Sequence, residues 1–173
     1  MEKIFYADNT AFPSSIDAVK IILSKHFGIE GVKISRSESG KPYLDGKTKL
    51  FFSVTHTKEK LFIGFCDENI GIDAELINRK IDYMPILRRF PIAERDEILS
   101  SQDFLRHWTV KESAVKWLDG TLARDLDKLS FIQGVLRYKN LELPIQITTT
   151  VFEGHILSVC SERDFSSPEF IPL

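Results

Sequence analysis

Apolar residues recur at helical spacing in two long stretches of the chain and alternate at strand spacing in several short ones. In PSSIDAVKIILSKHFG, Ile16, Val19, Leu23 and Phe27 form one stripe. Ser14 or Ser15 supplies an N-cap and Gly28 a stop, so the segment predicts a helix. A second, longer helix is predicted from about Asp103 to Leu118, ended by Gly120. Between them, IDYMPILRRF and PIAERDEILSS read as short helical pieces broken at Pro85 and Pro91. Strand-like runs occupy KIFYA near the N-terminus and residues 32–36, 49–54, 61–66 and 70–75, the last two joined by the turn residues DEN. LSFIQGVLRY, PIQITTTVF and HILSVCS are three further strand candidates, separated by YKNLELP and EGH. The elements fall into two groups, each a helix plus a small antiparallel sheet. This predicts an α+β fold in a single domain, 1–173, with approximate halves 1–80 and 81–173.

Composition narrows the function classes. With 43% hydrophobic and 28% charged residues the chain reads as an ordinary globular protein. Its 23 Lys and Arg nearly cancel its 25 Asp and Glu, so no overall field favours nucleic acid or anionic membrane as the main partner. Any anion must be held locally. MEKIFYADNT lacks the basic and apolar regions of a signal peptide, and no apolar run approaches the ~20 residues of a membrane span. A cytoplasmic location is the resulting expectation. Cys66 and Cys160 each lie in an apolar strand-like run, which suits reduced core thiols better than a disulfide or zinc site.

Four stretches carry candidate chemistry. In IGIDAE, Ile70, Ile72 and Ala74 point to one face and Gly71, Asp73 and Glu75 to the other. Two carboxylates about 6.5 Å apart at strand rise repel one another unless solvent, a basic group or a cation lies between them. They suit half a site for a hard cation such as Mg²⁺, or a solvated strand face. In WTVKESAVKW, Trp108, Glu112 and Lys116 share one helical face, with Lys111 and Val115 turned to neighbouring ones. Glu112 and Lys116 make either an ordinary surface ion pair or part of a site. In RSESGKPYLDGK, Lys41 sits between Gly40 and Pro42 on a constrained turn, suited to meeting an anion. Gly40 with GKT at 46–48 mimics a phosphate loop, but the glycine spacing is one residue too long and a strand-like run follows where a helix should start. In FFSVTHTKEKLFIGF, Phe52, Val54 and His56 share one face and Ser53 and Thr55 the other. His26, His107 and His155 show no metal-ligand spacing, and no nucleophile elbow is present.

In this order, GKPYL (40–44), FSVTHT (52–57), GIDAE (71–75) and FLRHWTVKESAVKW (104–117) resemble the 4′-phosphopantetheinyl transferases, and more closely their larger type from peptide and polyketide synthesis. The resemblance implies two pseudo-symmetric α/β halves with coenzyme A in the cleft between them. It implies that Asp73, Glu75 and Glu112 hold Mg²⁺ on the pyrophosphate and that Lys116 contacts the phosphates and assists the leaving group or the serine proton transfer; a carboxylate near the metal, Glu112 itself or one acting through a water, would take the serine proton. Lys41, Thr55 and His56 would hold the nucleotide and its 3′-phosphate, with Arg36 adding charge. The implied reaction moves phosphopantetheine from coenzyme A to a serine of an apo acyl or peptidyl carrier protein, in a monomeric enzyme with no nucleic-acid or membrane partner. The segment LRRF (87–90) is a candidate surface for the acidic carrier. Two other readings are a non-catalytic coenzyme A or carrier-binding module of the same fold, and a metal-dependent phosphodiesterase.

Overall fold

The computed structural model describes residues 2–46 and 48–173; Lys47, part of the rejected phosphate-loop reading, lies outside them. Strand β1 (Lys3–Asp8) leads into helix α1 (Ser15–Phe27). Ser14 caps α1 by accepting from the Asp17 amide, and Gly28 ends it with φ 63°. A hairpin of β2 (Ile34–Arg36) and β3 (Pro42–Leu44) follows, then β4 (Phe51–His56), β5 (Lys60–Cys66) and β6 (Ile70–Leu76). Two one-turn helices, α2 (Met84–Leu87) and α3 (Ile92–Arg95), precede the long α4 (Ser101–Trp117) and short α5 (Leu122–Asp125). The chain closes with β7 (Leu129–Ile132), β8 (Val135–Tyr138), β9 (Leu141–Glu142), β10 (Gln146–Phe152), β11 (His155–Ser161) and β12 (Glu169–Pro172).

The α+β character agrees with expectation, but the sheets are assembled differently. β5 pairs antiparallel with β1 and β4, while β1 takes β12 in parallel on its other edge. β6 leaves this group and pairs with β11, giving the order β10-β11-β6. The DEN turn therefore carries the chain from one sheet to the other. β12, absent from the pattern reading, returns to the first sheet, so the sheets do not divide at residue 80 and one pair is not antiparallel.

Three smaller corrections concern turn chemistry. Pro85 sits in the first turn of α2, where its missing N–H costs nothing, rather than breaking a helix. LSFIQGVLRY is two strands, because Gln133 (φ 51°) and Gly134 (φ 78°) form a left-handed hairpin turn. At the end of α4 the left-handed residue is Asp119 (φ 52°), not Gly120, whose amide then bonds back to the Val115 carbonyl.

Burial explains the layering. α1 covers one face of the first sheet through Ala18, Val19, Ile22 and Leu23 against Phe5, Ile63 and Phe65. The opposite face, with Ile4 and Phe62, packs on Ile70, Ile72, Leu157 and Val159 of the second sheet. α4 covers the far side, Val110, Ala114 and Val115 meeting Leu129, Phe131 and Cys160. Two stacked sheets thus lie between two helices. Cys66 and Cys160 are buried free thiols, as expected. Among the described residues no helix is long and apolar enough to cross a membrane.

Two buried polar clusters hold the α4 region. Lys111, expected on a neighbouring helix face, is fully buried, donating to Glu94 Oε2 at 2.7 Å with its ammonium 3.7 Å from the Phe90 ring centroid. His107 Nδ1 lies 3.1 Å from the other oxygen of Glu94, so this carboxylate fastens α3 to α4. Asp125 is the second hub, accepting from the Thr121 amide (3.0 Å), Arg124 Nε (2.8 Å), Lys128 Nζ (3.3 Å) and Tyr138 Oη (2.9 Å). Burial would raise its pKa, yet these donors together hold it down to about 2. Asp125→Asn, which puts an amide NH₂ toward donors, is expected to cost about 1–3 kcal/mol at neutral pH, measured by denaturant unfolding. Because the folded pKa is depressed, the stability from this group is complete above about pH 4 and lost as pH falls through about 2, so the parent–variant gap should close there.

Candidate functional site

The site forms where two sheet edges meet. β4 ends the first sheet and β6 the second. Instead of a backbone ladder, side chains bridge the seam: Ser53 Oγ accepts from the Ile72 amide at 3.1 Å, and Thr55 Oγ1 donates to Asp73 Oδ1 at 2.9 Å. This is why alternation along β4 matters, since Ser53 and Thr55 are the residues that face across. On β6 the Gly71, Asp73 and Glu75 face is not a solvated outer face, because α4 lies over it. A Cβ on Gly71 would collide with the Ser113 carbonyl and stand 2.6 Å from the Trp117 nitrogen, so only glycine lets the helix backbone come this close.

That approach delivers the charged side chains of α4 to the seam. Lys116 Nζ donates to the Ile72 carbonyl and to Asp73 Oδ1, both at 2.8 Å. Its partner is Asp73, 4% exposed, rather than Glu112, so the ordinary i, i+4 surface pair does not form. Glu112 lies one turn earlier. Burial, then the negative charge of Asp73, push its carboxyl up to about 8; Glu75 adds to this, while Lys116 and Arg79 oppose it. Glu75 is itself paired with Arg79, four residues on.

The remaining predicted residues flank this cluster. Lys41 reaches inward, donating to Asn69 Oδ1 at 3.0 Å and the Ile70 carbonyl at 3.1 Å, which leaves one N–H for a ligand. With Lys116, Ser39, Gly40, Pro42 and Ser53 it lines a cleft of about 240 Å³. His56 is exposed at the end of β4 and lines another cleft, about 700 Å³, with Lys58, Glu75, Arg79 and Lys80. Arg36 lines neither; its guanidinium donates to the Gly40 carbonyl and closes its own hairpin. Leu87 and Phe90 of LRRF are core, Arg89 pairs with Asp127 at 2.8 Å, and Arg88 is exposed. A third, mostly apolar cavity of about 450 Å³ is walled by Tyr43, Phe51 and Trp117. Trp117 Nε1 is the one buried side-chain nitrogen or oxygen without a partner among the described residues.

Pattern reasoning thus found the acids and both lysines but not their supports. Ser53, Asn69, Arg79 and Asp119 escaped it, as did the close approach at Gly71. A glycine inside an otherwise apolar strand was the available signal for that approach. Asn69 is a bridge: besides accepting from Lys41, its amide donates to the Trp117 carbonyl at 2.7 Å, tying the end of α4 to the start of β6.

Three carboxyl groups, opposed by one lysine and one arginine, make an oxygen-rich cluster whose donor chemistry suits a hard divalent cation, which would favour the ionised form of Glu112. No three Asp, Glu, His or Cys side chains among the described residues are disposed to ligate an ion as they stand. Lys116 rests on Oδ1 of Asp73 in this arrangement.

No curated protein matches the chain. A family model described as the 4′-phosphopantetheinyl transferase superfamily matches residues 69–160, just over half of it. The matched span runs from Asn69, at the entry to β6, to Cys160 in β11, and contains Asp73, Glu75, Glu112 and Lys116 together. Because the seam acids and the helix that delivers Glu112 and Lys116 to them all lie within that matched span, the chain belongs to the 4′-phosphopantetheinyl transferase superfamily.

Proposed function

We propose that this protein transfers 4′-phosphopantetheine from coenzyme A to a serine of an acyl or peptidyl carrier protein, releasing 3′,5′-ADP. The convergence of Asp73, Glu75, Glu112 and Lys116 on one seam between two clefts carries this reading. The serine oxygen forms a bond to the β-phosphorus, the bond from that phosphorus to the bridging oxygen of the pyrophosphate breaks, and the nucleotide departs with the bridging oxygen. Charge grows on the phosphoryl oxygens as this happens, so catalysis is mostly positioning and charge neutralisation.

Lys116 is placed to meet that charge, its ammonium already steered by Asp73 and the Ile72 carbonyl. Glu112 takes the serine proton, directly or through a water; a carboxyl with a pKa near working pH is matched to that exchange. Lys41 lines the approach from the smaller cleft, Thr55 holds Asp73 in place at the seam, and His56 with its basic neighbours offers charge from the larger cleft. Asp73, Glu75 and Glu112 would hold Mg²⁺, which when bound supplies further neutralisation of the pyrophosphate. The family assignment supports the carrier protein and coenzyme A as partners, and a cytoplasmic site of action fits both.

The test is to incubate the protein with apo carrier protein, coenzyme A and Mg²⁺ and weigh the carrier. The expected result is a gain of one phosphopantetheine, abolished by chelator. Binding of coenzyme A without any gain, under any divalent metal and with both acyl and peptidyl carriers, would replace this reading with that of a binding module.

A further inference from the structure

Asp119 is an exposed carboxylate in an unusual place. It occupies the left-handed position after α4, with φ 52°, where glycine or asparagine is favoured. From there it reaches across about eighty residues of sequence to the turn between β2 and β3. Ser37 Oγ donates to its Oδ1 at 2.6 Å, Ser39 Oγ donates to the same oxygen, and the two hydroxyls lie 3.0 Å apart. Ser39 Oγ in turn accepts from the Lys41 amide at 3.4 Å. The turn that presents Lys41 is thus fastened to the end of the helix that presents Lys116.

The same joint has a second strap. Lys41 Nζ bonds Asn69, and Asn69 bonds the Trp117 carbonyl, two residues before Asp119. Lys41 and Lys116 then share the wall of one cleft, two like charges of which Lys116 has Asp73 as its anion while Lys41 has the field of Asp119.

We infer that Asp119 is a positioning residue: by clamping Ser37 and Ser39 it seats the Lys41 ammonium beside Lys116, charged and aimed at an anionic ligand. The inference rests on the proposed function for the identity of that anion, a phosphate of coenzyme A. The charged groups facing Lys41 are Asp119 and Lys116, with Arg124 behind Asp119. Burial lowers the Lys41 pKa to about 8, Asp119 holds it up and Lys116 presses it lower. Asp119 is in turn kept below the usual carboxylate range, against its own partial desolvation, by Ser37, Ser39, Lys41 and Arg124.

Two variants separate charge from clamp. Asp119→Asn tolerates the left-handed backbone and keeps an acceptor for the serines but loses the charge. Asp119→Gly suits the backbone and loses both, so neither is expected to unfold the protein. The pH dependence of Lys41 modification by a water-soluble amine-reactive reagent, quantified by peptide mass spectrometry, reads the lysine without coenzyme A. Its midpoint is expected near 8 in the parent and lower in both variants, by roughly half a unit or more. In calorimetric titration at pH 7.5, Asp119→Gly should weaken coenzyme A binding about fivefold to tenfold and Asp119→Asn less.

An unchanged Lys41 midpoint in both variants would overturn the inference. So would tighter coenzyme A binding by both, the behaviour of a carboxylate that merely repels phosphate. Failure of the parent itself to bind coenzyme A counts against the proposed function, while the lysine midpoint still decides whether Asp119 governs Lys41.

Discussion

Glu112→Gln is expected to lower phosphopantetheine transfer by about 10²–10⁴-fold while leaving the fold intact. The amide has the same shape but neither accepts a proton nor contributes charge to a cation. The surroundings already favour a neutral side chain, since burial and the neighbouring Asp73 and Glu75 push the Glu112 carboxyl up to about 8. A group with a raised pKa contributes most stability below its unfolded value and loses it as pH rises through the folded one. The variant's thermal stability should therefore match the parent's at low pH and equal or exceed it between about pH 5 and 8. Carrier mass spectrometry measures the first outcome and thermal unfolding the second. Transfer within tenfold of the parent would show that Glu112 has neither role.

The second large effect is structural. Gly71→Ala should destabilise the protein by about 3 kcal/mol or more, because the added methyl meets backbone atoms of Ser113 and Trp117 that belong to a 17-residue helix and cannot rotate away. For a chain of this size that corresponds to a fall in Tm of roughly 6–12 °C. The strain has one escape, a shift of α4 off β6, which would also withdraw Lys116 from Asp73. Transfer measured below the melting transition should then fall further than the folded fraction does. Wild-type stability and activity in this variant would mean that α4 does not approach β6 as closely as described.

These two residues mark different degrees of legibility. Glu112 was readable because helical spacing and the W-x-x-K-E pattern single it out, and its partners Asp73 and Glu75 because strand alternation places both on one face. Gly71 lay in the same alternation and was assigned to the same face, and the one local hint that it does not face water is its being a glycine inside a strand. Lys111 is the reverse case. Its charge pointed to a helix flank, but Glu94, 17 residues earlier, and the Phe90 ring make a buried place for it. Asp119 carried no signal of its clamp, whose donors lie some eighty residues away.

By itself, the chain's pattern determined its local elements and the family: where α1 and α4 begin and end to within a few residues, which face of β6 bears the acids, and the resemblance to the phosphopantetheinyl transferases. Caps, turns and periodicity act over a few neighbouring residues and are therefore written locally. Only tertiary structure decided that β6 joins β11 rather than β5, that β12 returns to β1, and that Asp73 takes Lys116 while Lys41 turns inward to Asn69. Which edges pair, and which charges are stripped of water and so must find partners, depends on surfaces brought together from distant parts of the chain. The seam between β4 and β6 is such a surface. Its side-chain bridges, Ser53 to Ile72 and Thr55 to Asp73, exist only once both sheets are in place.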